Sequence, residues 1–298
     1  MKWIRRTCKL ILLLTILWVV MSVVSHQWKK PTTEFSHTLK VLTYNTQALC
    51  MGDKQQAQRM LSYINEQDAD IVCLQEVKVY KNAQRITLPE LRNAMKDYPY
   101  TYYDFKVYNS IRQFGNVVFS RYPLIHKKTI PYESKQNISS RCDVVVNHDT
   151  IRLIVNHLES FKIMKHDLIL DTLTVEKFKN SSLNHKLQTA SQLRQEQAKA
   201  VKNAINESPY PVITVGDFNS IPLSYVYWKI RFGMRDCFLK GSFGQLGSSP
   251  RYPSTISRPV WCLSIAERST LTLSVSISLS AVIRRLKRHS LKWMPTAS

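Results

Sequence analysis

Clustered cysteines are missing from this chain. Its six cysteines are scattered along 298 residues and none belongs to a CxxC pair, so neither a zinc site nor a dense disulfide framework is indicated. Cys50, Cys73 and Cys142 lie in or beside apolar runs and are expected to be buried free thiols. Internal repeats are absent as well, which excludes a solenoid or a propeller.

Acidic residues are scarce. The chain has 42 Lys and Arg against 21 Asp and Glu, a formal net charge of +21 that favours nucleic acid or an anionic membrane as a partner. Residues 248–298 contribute 8 − 1 = +7 of this charge, and the flank before the first apolar run contributes four more. The remainder is compatible with a phosphate-rich substrate. Hydrophobic residues make up 44% of the chain, enough to bury a core and to exclude wholesale disorder.

An apolar run from Leu10 to Val24 follows four basic residues near the amino terminus. Basic residues ahead of an apolar stretch favour a cytoplasmic amino terminus. The run is short for a membrane span and long for the core of a cleaved signal, and no A-x-A cleavage site follows it. We therefore expect residues 1–25 to form an uncleaved signal-anchor that places the domain on the non-cytoplasmic side of a membrane, followed by a linker at 26–38; a cleaved signal is the alternative.

Strand and helix patterns alternate along the rest of the chain. Strand-forming runs cover residues 39–45, 70–76, 114–124, 141–146, 150–157 and 212–215. Apolar residues at helical spacing predict helices within 53–67, 88–95 and 187–205. This order predicts an α/β domain, in which the short loop at 147–149 joins two strands as a hairpin.

Several of these strands end in polar residues, which are Asn45, Glu76, His157, Asp217 and Asn219. Glu76 offers a hard oxygen ligand suited to Mg²⁺ or Mn²⁺, and Asn45 could add a carbonyl oxygen. His157 suits proton transfer, while Asp217 and Asn219 suit holding a water or a phosphoryl oxygen. Each residue has an ordinary explanation, such as a surface charge, a turn residue or a hydrogen-bonded core histidine. All five at strand ends of one α/β chain indicate a shared site.

Five short motifs, taken in order, resemble the endonuclease/exonuclease/phosphatase superfamily of deoxyribonucleases, abasic-site endonucleases, neutral sphingomyelinases and inositol-polyphosphate 5-phosphatases. The matching segments are Leu42–Asn45, Asp70–Glu76, Gly115–Pro123, Val155–Leu158 and Gly216–Asn219. We place the corresponding domain at residues 39–247. The resemblance implies a four-layer α/β/β/α sandwich, in which two mixed β-sheets pack face to face between flanking helices.

The same resemblance implies a reaction and its residues. The implied catalytic residues are His157, Asp217 and Asn219. The implied metal ligands are Glu76 and Asn45. The implied substrate-binding residues are Arg141 and Asn116. The implied cofactor is Mg²⁺ or Mn²⁺. The implied reaction is metal-assisted hydrolysis, in which an activated water attacks a phosphoryl group in line.

The carboxyl-terminal segment, residues 248–298, departs from the family. An Ile-Asp-Tyr-like strand and a closing Ser-Asp-His motif belong there, and the segment contains neither. It is a basic tail rich in Ser, Leu and Arg, without glycine, and such a composition also arises when a gene is read out of frame. We therefore expect residues from about 248 onward not to complete the second sheet, and the chain to have little or no hydrolytic activity. Leu271–Ser280 alternates like a strand and could still pair at a sheet edge.

Two functions follow as hypotheses. The first is a membrane-anchored phosphoesterase acting on a phosphodiester, in nucleic acid or a phospholipid headgroup, or on a phosphomonoester. The basic charge favours a nuclease-like substrate, whereas the anchor favours a lipid. The second is a catalytically impaired remnant or binding module, which would hold phosphate groups without hydrolysing them because the Asp-His motif is missing.

Overall fold

A computed structural model describes residues 38–109, 111–147, 149–161, 182–220, 224–236, 260–264 and 272–277. The strands are β1 (Thr38–Asn45), β2 (Ile71–Tyr80), β3 (Tyr100–Asn109), β4 (Arg112–Ser120), β5 (Leu124–Ile130), β6 (Ile138–Val146), β7 (Asp149–His157), β8 (Val212–Asp217), β9 (Arg235–Asp236), β10 (Val260–Ser264) and β11 (Thr272–Ile277). The helices are α1 (Gln47–Met51), α2 (Lys54–Glu66), α3 (Leu88–Ala94), α4 (Ser182–Asn206) and α5 (Tyr225–Arg231).

The first sheet has five strands in the order β11-β1-β2-β4-β3. β1 and β2 are parallel, with Asn45 opposite Gln75, and β4 is antiparallel to both of its neighbours, β2 and β3. Because parallel neighbours need a crossover, α2 connects β1 to β2. The crossover brings the carboxyl end of β1 beside the middle of β2.

The second sheet has six strands in the order β5-β6-β7-β8-β10-β9. β6 and β7 form the predicted antiparallel hairpin, with Ile138 opposite His157. β7 and β8 are parallel, joined through α4, and His157 lies opposite Asp217 at their carboxyl ends. Two predicted site residues are therefore neighbours on adjacent strands.

Three apolar clusters hold the layers together. The central cluster joins the sheets and includes Val41 and Cys73 from the first sheet with Val155 and Val215 from the second. A second cluster packs α2 and α3 on the first sheet, and a third packs α4 and α5 on the second. Full burial of one such side chain contributes about 1.5–3 kcal/mol. The predicted α/β/β/α sandwich is thus confirmed.

The helices follow the predicted patterns. α2 buries Ala57, Met60, Leu61 and Ile64, the four residues whose spacing predicts its apolar face. Its amino end is capped by Asp53, whose side chain accepts a hydrogen bond from the Gln56 amide at 3.0 Å. α3 starts with a capping box between Thr87 and Glu90, and the salt bridge of Glu90 with Lys54 lowers the pKa of that carboxyl to about 2. α3 is thereby tied to the start of α2.

The tail differs from expectation, because β10 and β11 both lie beyond residue 247 and both join a sheet. β10 pairs antiparallel with β8, and β11 pairs parallel with β1. Without β10 and β11, the backbone N–H and C=O groups on the outer sides of β8 and β1 would lack these hydrogen-bond partners. An unpaired strand edge of this kind can pair with a further strand-forming segment. The expectation that the tail would not complete the second sheet was wrong, because β10 pairs with β8 and extends that sheet. The alternative pairing of 271–280 at a sheet edge is seen in β11.

Several elements were not predicted from the sequence. These are β3, β5, β9, β10, α5 and α1, which is a left-handed turn in which all five residues have positive φ. Membrane attachment is not addressed by the fold, since the apolar run at 10–24 lies outside the described residues. Within the described ranges, no helix combines the length and the apolar character needed to cross a bilayer.

Candidate active site

Glu76, His157 and Asp217 converge in space. Each offers one ligand atom, a carboxylate oxygen or an imidazole nitrogen, and these atoms all lie within 4.8 Å of one another. His157 and Asp217 stand at the carboxyl ends of β7 and β8, and Glu76 comes from β2 in the opposing sheet. The site therefore forms where the two sheets meet.

A β-bulge aims Glu76 at the site. The pairing of β2 with β4 shifts register between Leu74 and Val77, and Glu76 within this interval has a φ of +55°. A bulge adds a residue to one strand and re-aims the side chain there. The Thr46 hydroxyl lies 2.9 Å from the Glu76 carbonyl oxygen and satisfies a backbone group that the bulge takes out of the ladder. Glu76 is thus held inside a strand that continues to Tyr80, not at its end.

Asp217 depends on the glycine before it. Gly216 has a φ of +124°, and a Cβ placed on it would lie 2.1 Å from the carbonyl oxygen of Asn156 on β7. Only glycine allows β7 and β8 to approach this closely at their carboxyl ends. The close approach is what sets His157 beside Asp217.

Asp217 is completely buried, and its two oxygens have defined donors. Oδ1 accepts from the backbone amide of Asn219 at 2.9 Å, and Oδ2 accepts from Nδ2 of Asn45 at 2.8 Å. Burial raises the pKa of Asp217, while the hydrogen bonds from the Asn219 amide and the Asn45 side chain oppose the shift. A cation or a proton at this position would compensate the cost of burying the charge.

Asn45 links the two carboxylates. Its Nδ2 atom lies 2.8 Å from Asp217 and 3.0 Å from Oε1 of Glu76, and its Oδ1 atom accepts from the Gln47 amide at 2.9 Å. The nitrogen, not the oxygen, therefore faces the carboxylates. This differs from the expectation that Asn45 is a metal ligand. In the structure, Asn45 holds the side chains of Glu76 and Asp217 together by donating a hydrogen bond to each.

Asn137 contacts His157 and was not predicted from the sequence. Its Nδ2 atom lies 3.1 Å from Nε2 of His157 and donates to the carbonyl oxygen of Leu158 at 2.9 Å. The second bond fixes the orientation of the amide, because a flipped amide would set two carbonyl oxygens against each other. An amide nitrogen only donates, so Nε2 of His157 accepts and the ring proton lies on Nδ1.

A polar chain behind Asn137 holds it in place. The Ser134 hydroxyl accepts a hydrogen bond from the backbone N–H of Asn137 at 2.9 Å and donates one to Oε2 of Glu159 at 2.8 Å. Glu159 is buried and is fixed in turn by α4, where Gln197 accepts from its amide and Arg194 donates to its carbonyl oxygen. The orientation of His157 is therefore connected to the helix layer.

The cluster is suited to a divalent cation. Nε2 of His157 accepts from Asn137 and cannot also donate to Oε1 of Glu76, which lies 3.2 Å away. Two lone-pair atoms at this distance are stable when a positive charge lies beside them. Carboxylate oxygens are the ligands that Mg²⁺ and Mn²⁺ prefer. Glu76 and Asp217 therefore fit such an ion, with His157 at its edge.

Comparison with known proteins places the chain in a family. A model of the endonuclease/exonuclease/phosphatase family matches residues 42–265, which is more than half of the chain. The chain belongs to this family. The match extends past residue 247 and includes β10. No curated protein sequence gives a significant match.

Solved structures share the fold of this family. D. rerio TDP2 complexed with single strand DNA product is 18% identical, with a TM-score of 0.50 and coverage of 76% of this chain and 82% of that chain. An endonuclease/exonuclease/phosphatase from Beutenbergia cavernae DSM 12333 is 15% identical, with a TM-score of 0.50 and coverage of 76% and 64%. A β-hairpin deletion mutant of beta toxin from Staphylococcus aureus is 13% identical, with a TM-score of 0.51 and coverage of 88% and 99%. At these identities the likeness concerns the fold alone.

Asn219 lies beside the cluster and stabilises it. It has a φ of +47°, and its Nδ2 atom donates to the carbonyl oxygen of Leu158 at 2.8 Å. Leu158 thus accepts from both Asn219 and Asn137, which ties the turn after β8 to the turn after β7. The family role of positioning a nucleophile stays a prediction for Asn219.

Asn116 is buried between the sheets. Its Nδ2 atom lies 3.2 Å from the Ile138 carbonyl oxygen and 3.0 Å from that of Val155, which precedes His157 by two residues. The side chain is only 1% exposed, so it is not accessible to a substrate. In place of the expected substrate contact, the structure shows a link between β4 and the second sheet.

Arg141, like Asn116, does not reach the site. It pairs with Ile154 on β7, whose side chain packs toward α4, whereas Cys142 and Val155 face the other sheet. Arg141 therefore lies on the helix-side face, opposite to the face of His157. It is also three residues from Ile138, the partner of His157, or about 10 Å along the strand. The expected substrate contact does not fit this position.

Proposed function

We propose that this chain is a membrane-anchored phosphoesterase that depends on a divalent metal, Mg²⁺ or Mn²⁺. The observation that carries the proposal is the convergence of Glu76, His157 and Asp217 within 4.8 Å. Membership of the endonuclease/exonuclease/phosphatase family supports a phosphate ester as the substrate and hydrolysis as the reaction.

The side chains of the cluster supply complementary chemistry. Glu76 and Asp217 would hold the cation, which when bound supplies positive charge against the charge that develops on the phosphoryl oxygens. Asn45 keeps both carboxylates in place by donating to each of them. The Asn219 amide also holds the Asp217 carboxylate, and a carboxylate fixed in this way can accept a proton from an attacking water. The unprotonated Nε2 of His157 is a second acceptor in the cluster.

The substrate class is a phosphodiester, which nucleic acids and phospholipid headgroups share. The excess of basic residues supports a nucleic acid. The apolar run at 10–24 supports a lipid, since an anchor would hold the domain beside a bilayer. Retention of the full chain in the membrane pellet after alkaline carbonate extraction is the expected result for an anchored protein, and its release into the supernatant would contradict the anchor.

A second candidate function is phosphate-ester binding without hydrolysis. It is favoured by one observation, that none of the eight histidines in the chain follows an aspartate. The family's closing Asp-His pair is therefore absent, while the rest of the site is assembled. Groups that act as a unit in catalysis are not additive, so the loss of one can remove nearly all turnover.

One experiment separates the two candidates. The full chain is assayed with bis(p-nitrophenyl) phosphate in Mg²⁺, in chelator and as the Glu76→Gln variant. The matched control is Glu66→Gln, an exposed carboxylate on α2 outside the cluster. Turnover that needs Mg²⁺ and Glu76 supports the phosphoesterase. Mg²⁺-dependent binding of a non-hydrolysable phosphodiester without turnover supports the binding module, and the absence of both effects contradicts both candidates.

A further inference from the structure

Helix α5 carries two apolar faces. Val226, Tyr227 and Ile230 are buried against the second sheet in the same cluster as Ile154 and Leu158. A helix needs only one such face to pack on a sheet.

The opposite side of α5 is aromatic and exposed. Tyr225, Trp228 and Phe232 are exposed by 48%, 51% and 78%, and their spacing of three and four residues places them along one side of the helix and its carboxyl cap. Neighbouring large aromatic side chains at such exposures mark an interaction surface on a soluble domain.

The aromatic side chains are accompanied by cations. The Arg231 guanidinium lies 5.0 Å from the centre of the Trp228 ring, and the Lys202 ammonium lies 5.9 Å from that of Phe232. Burial and the nearby charge of Lys229 lower the pKa of Lys202, which indicates that the two ammonium groups are close. None of these three cations forms an ion pair with a carboxylate in the described part of the chain. Among the described residues, the surface thus carries three positive charges that no carboxylate pairs with directly.

We infer that this surface, defined by Tyr225, Trp228, Phe232, Lys202, Lys229 and Arg231, docks on an anionic phospholipid bilayer. Tyr and Trp prefer the interfacial zone of bilayers, where their rings contact acyl chains and their polar atoms reach water. Juxtamembrane Lys and Arg each add favourable interaction with anionic headgroups. Charge complementarity and the aromatic composition therefore point to the same partner.

The geometry favours a bilayer over a single-stranded nucleic acid. Single strands are held in basic grooves whose aromatic rings offer free faces for stacking. Here the rings project from the convex side of a helix, and one face of Trp228 is covered by the Arg231 guanidinium. The interface of a bilayer is flat and can accept protruding rings, so it suits this arrangement better than a single strand does.

The surface is close to the candidate active site. α5 begins one residue after Ser224, and Ser224 is separated from Asn219 by no more than about 18 Å of extended chain. Docking would therefore hold the domain beside headgroup phosphates. This consequence, a lipid phosphodiester as the substrate, rests on the proposed function, whereas the docking surface itself does not.

The test uses Trp228 fluorescence in the full chain and requires no turnover. Emission is recorded with vesicles of phosphatidylcholine alone or with phosphatidylglycerol, in which the acyl chains are brominated to quench nearby indoles. The signal of Trp228 is the difference between the chain and its Trp228→Phe variant, which removes the contributions of the other tryptophans. Circular dichroism verifies that the variants keep the fold.

We expect quenching of the Trp228 signal by anionic vesicles and much less by neutral ones. The variant Y225S/F232S should lose this quenching, and K202Q/K229Q should need a higher anionic-lipid fraction for half-maximal quenching. Tyr100→Ser, which removes an exposed aromatic from β3, should behave like the parent chain.

Three results would overturn the inference. One is a Trp228 signal that no vesicle quenches. Another is a signal that changes with a single-stranded oligonucleotide but not with lipid, which would assign the surface to nucleic acid. The last is protection of Trp228 from iodide in the absence of lipid, which would mean that another part of the chain covers it.

Discussion

Replacing Glu76 with glutamine tests the cation site directly. Glutamine keeps the side-chain length and an oxygen that can accept from Asn45, which lies 3.0 Å from Glu76, but it removes the charge. At the 4.8 Å limit between the ligand atoms of Glu76 and Asp217, and with an effective dielectric constant of about 20, the repulsion between the two carboxylates is at least about 3.5 kcal/mol. Asn45, placed between them, reduces it. We therefore expect the thermal midpoint of E76Q in chelator to equal or exceed that of the parent chain.

In Mg²⁺, the parent chain should instead have the higher thermal midpoint. A cation that binds only the folded state stabilises it by about 2.7 kcal/mol at a concentration 100-fold above its dissociation constant. In a domain of this size, that corresponds to an increase of about 5–10 °C in the thermal midpoint. The parent chain should show such an increase, and E76Q should lose most of it because one of two carboxylate ligands is gone.

Thermal unfolding followed by circular dichroism, with calorimetric titration of Mg²⁺, measures both effects. Glu66→Gln is the matched control, because it removes a carboxylate of the same type from the exposed side of α2. An equal Mg²⁺-dependent increase in E76Q and the parent chain, with unchanged affinity by calorimetry, would refute the assignment of Glu76 as a ligand.

Three further predictions follow. Asn137→Ala should move the ring proton of His157 from Nδ1 to Nε2, visible in the ¹⁵N shifts of the imidazole, with a loss of about 1 kcal/mol of stability; unchanged shifts would contradict its positioning role. Arg141→Gln should leave the affinity for a phosphodiester analogue within about twofold, since the residue lies on the helix-side face; a tenfold loss, about 1.4 kcal/mol, would show that the substrate reaches it. The chain should turn over phosphodiesters slowly, and a form translated in the alternative frame after Gly247 should be faster; equal and robust turnover by both would mean that the tail does not limit catalysis.

The strands and helices that surround the site could be predicted because their patterns are local. In α2 the apolar positions recur at helical spacing, and the structure buries all four of them. In β7 and β8 a buried strand runs into polar residues, and chain direction alone places His157 and Asp217 at carboxyl ends. What lies within a few residues along the chain is visible in its sequence.

The orientations of the side chains could not be predicted in the same way. β6 carries buried residues on both of its faces, so its sequence does not reveal which face meets the site. Arg141 therefore matches the family pattern in sequence, but it lies on the helix-side face of the sheet, away from the site. Asn45 likewise fitted a ligand position, but the backbone amide of Gln47 takes its oxygen and turns its nitrogen to the carboxylates.

The sequence by itself determined the family, the α/β layering, and four residues that meet at one site: Asn45, Glu76, His157 and Asp217. Only the tertiary structure decided how they act together. Asn137 reaches His157 across 20 residues of chain, and Asn45 reaches Asp217 across 172, distances over which no local pattern carries information. The bulge that aims Glu76 likewise depends on its pairing with β4. Contacts between segments remote in sequence form only when the sheets pack, so they can be identified only in the folded chain.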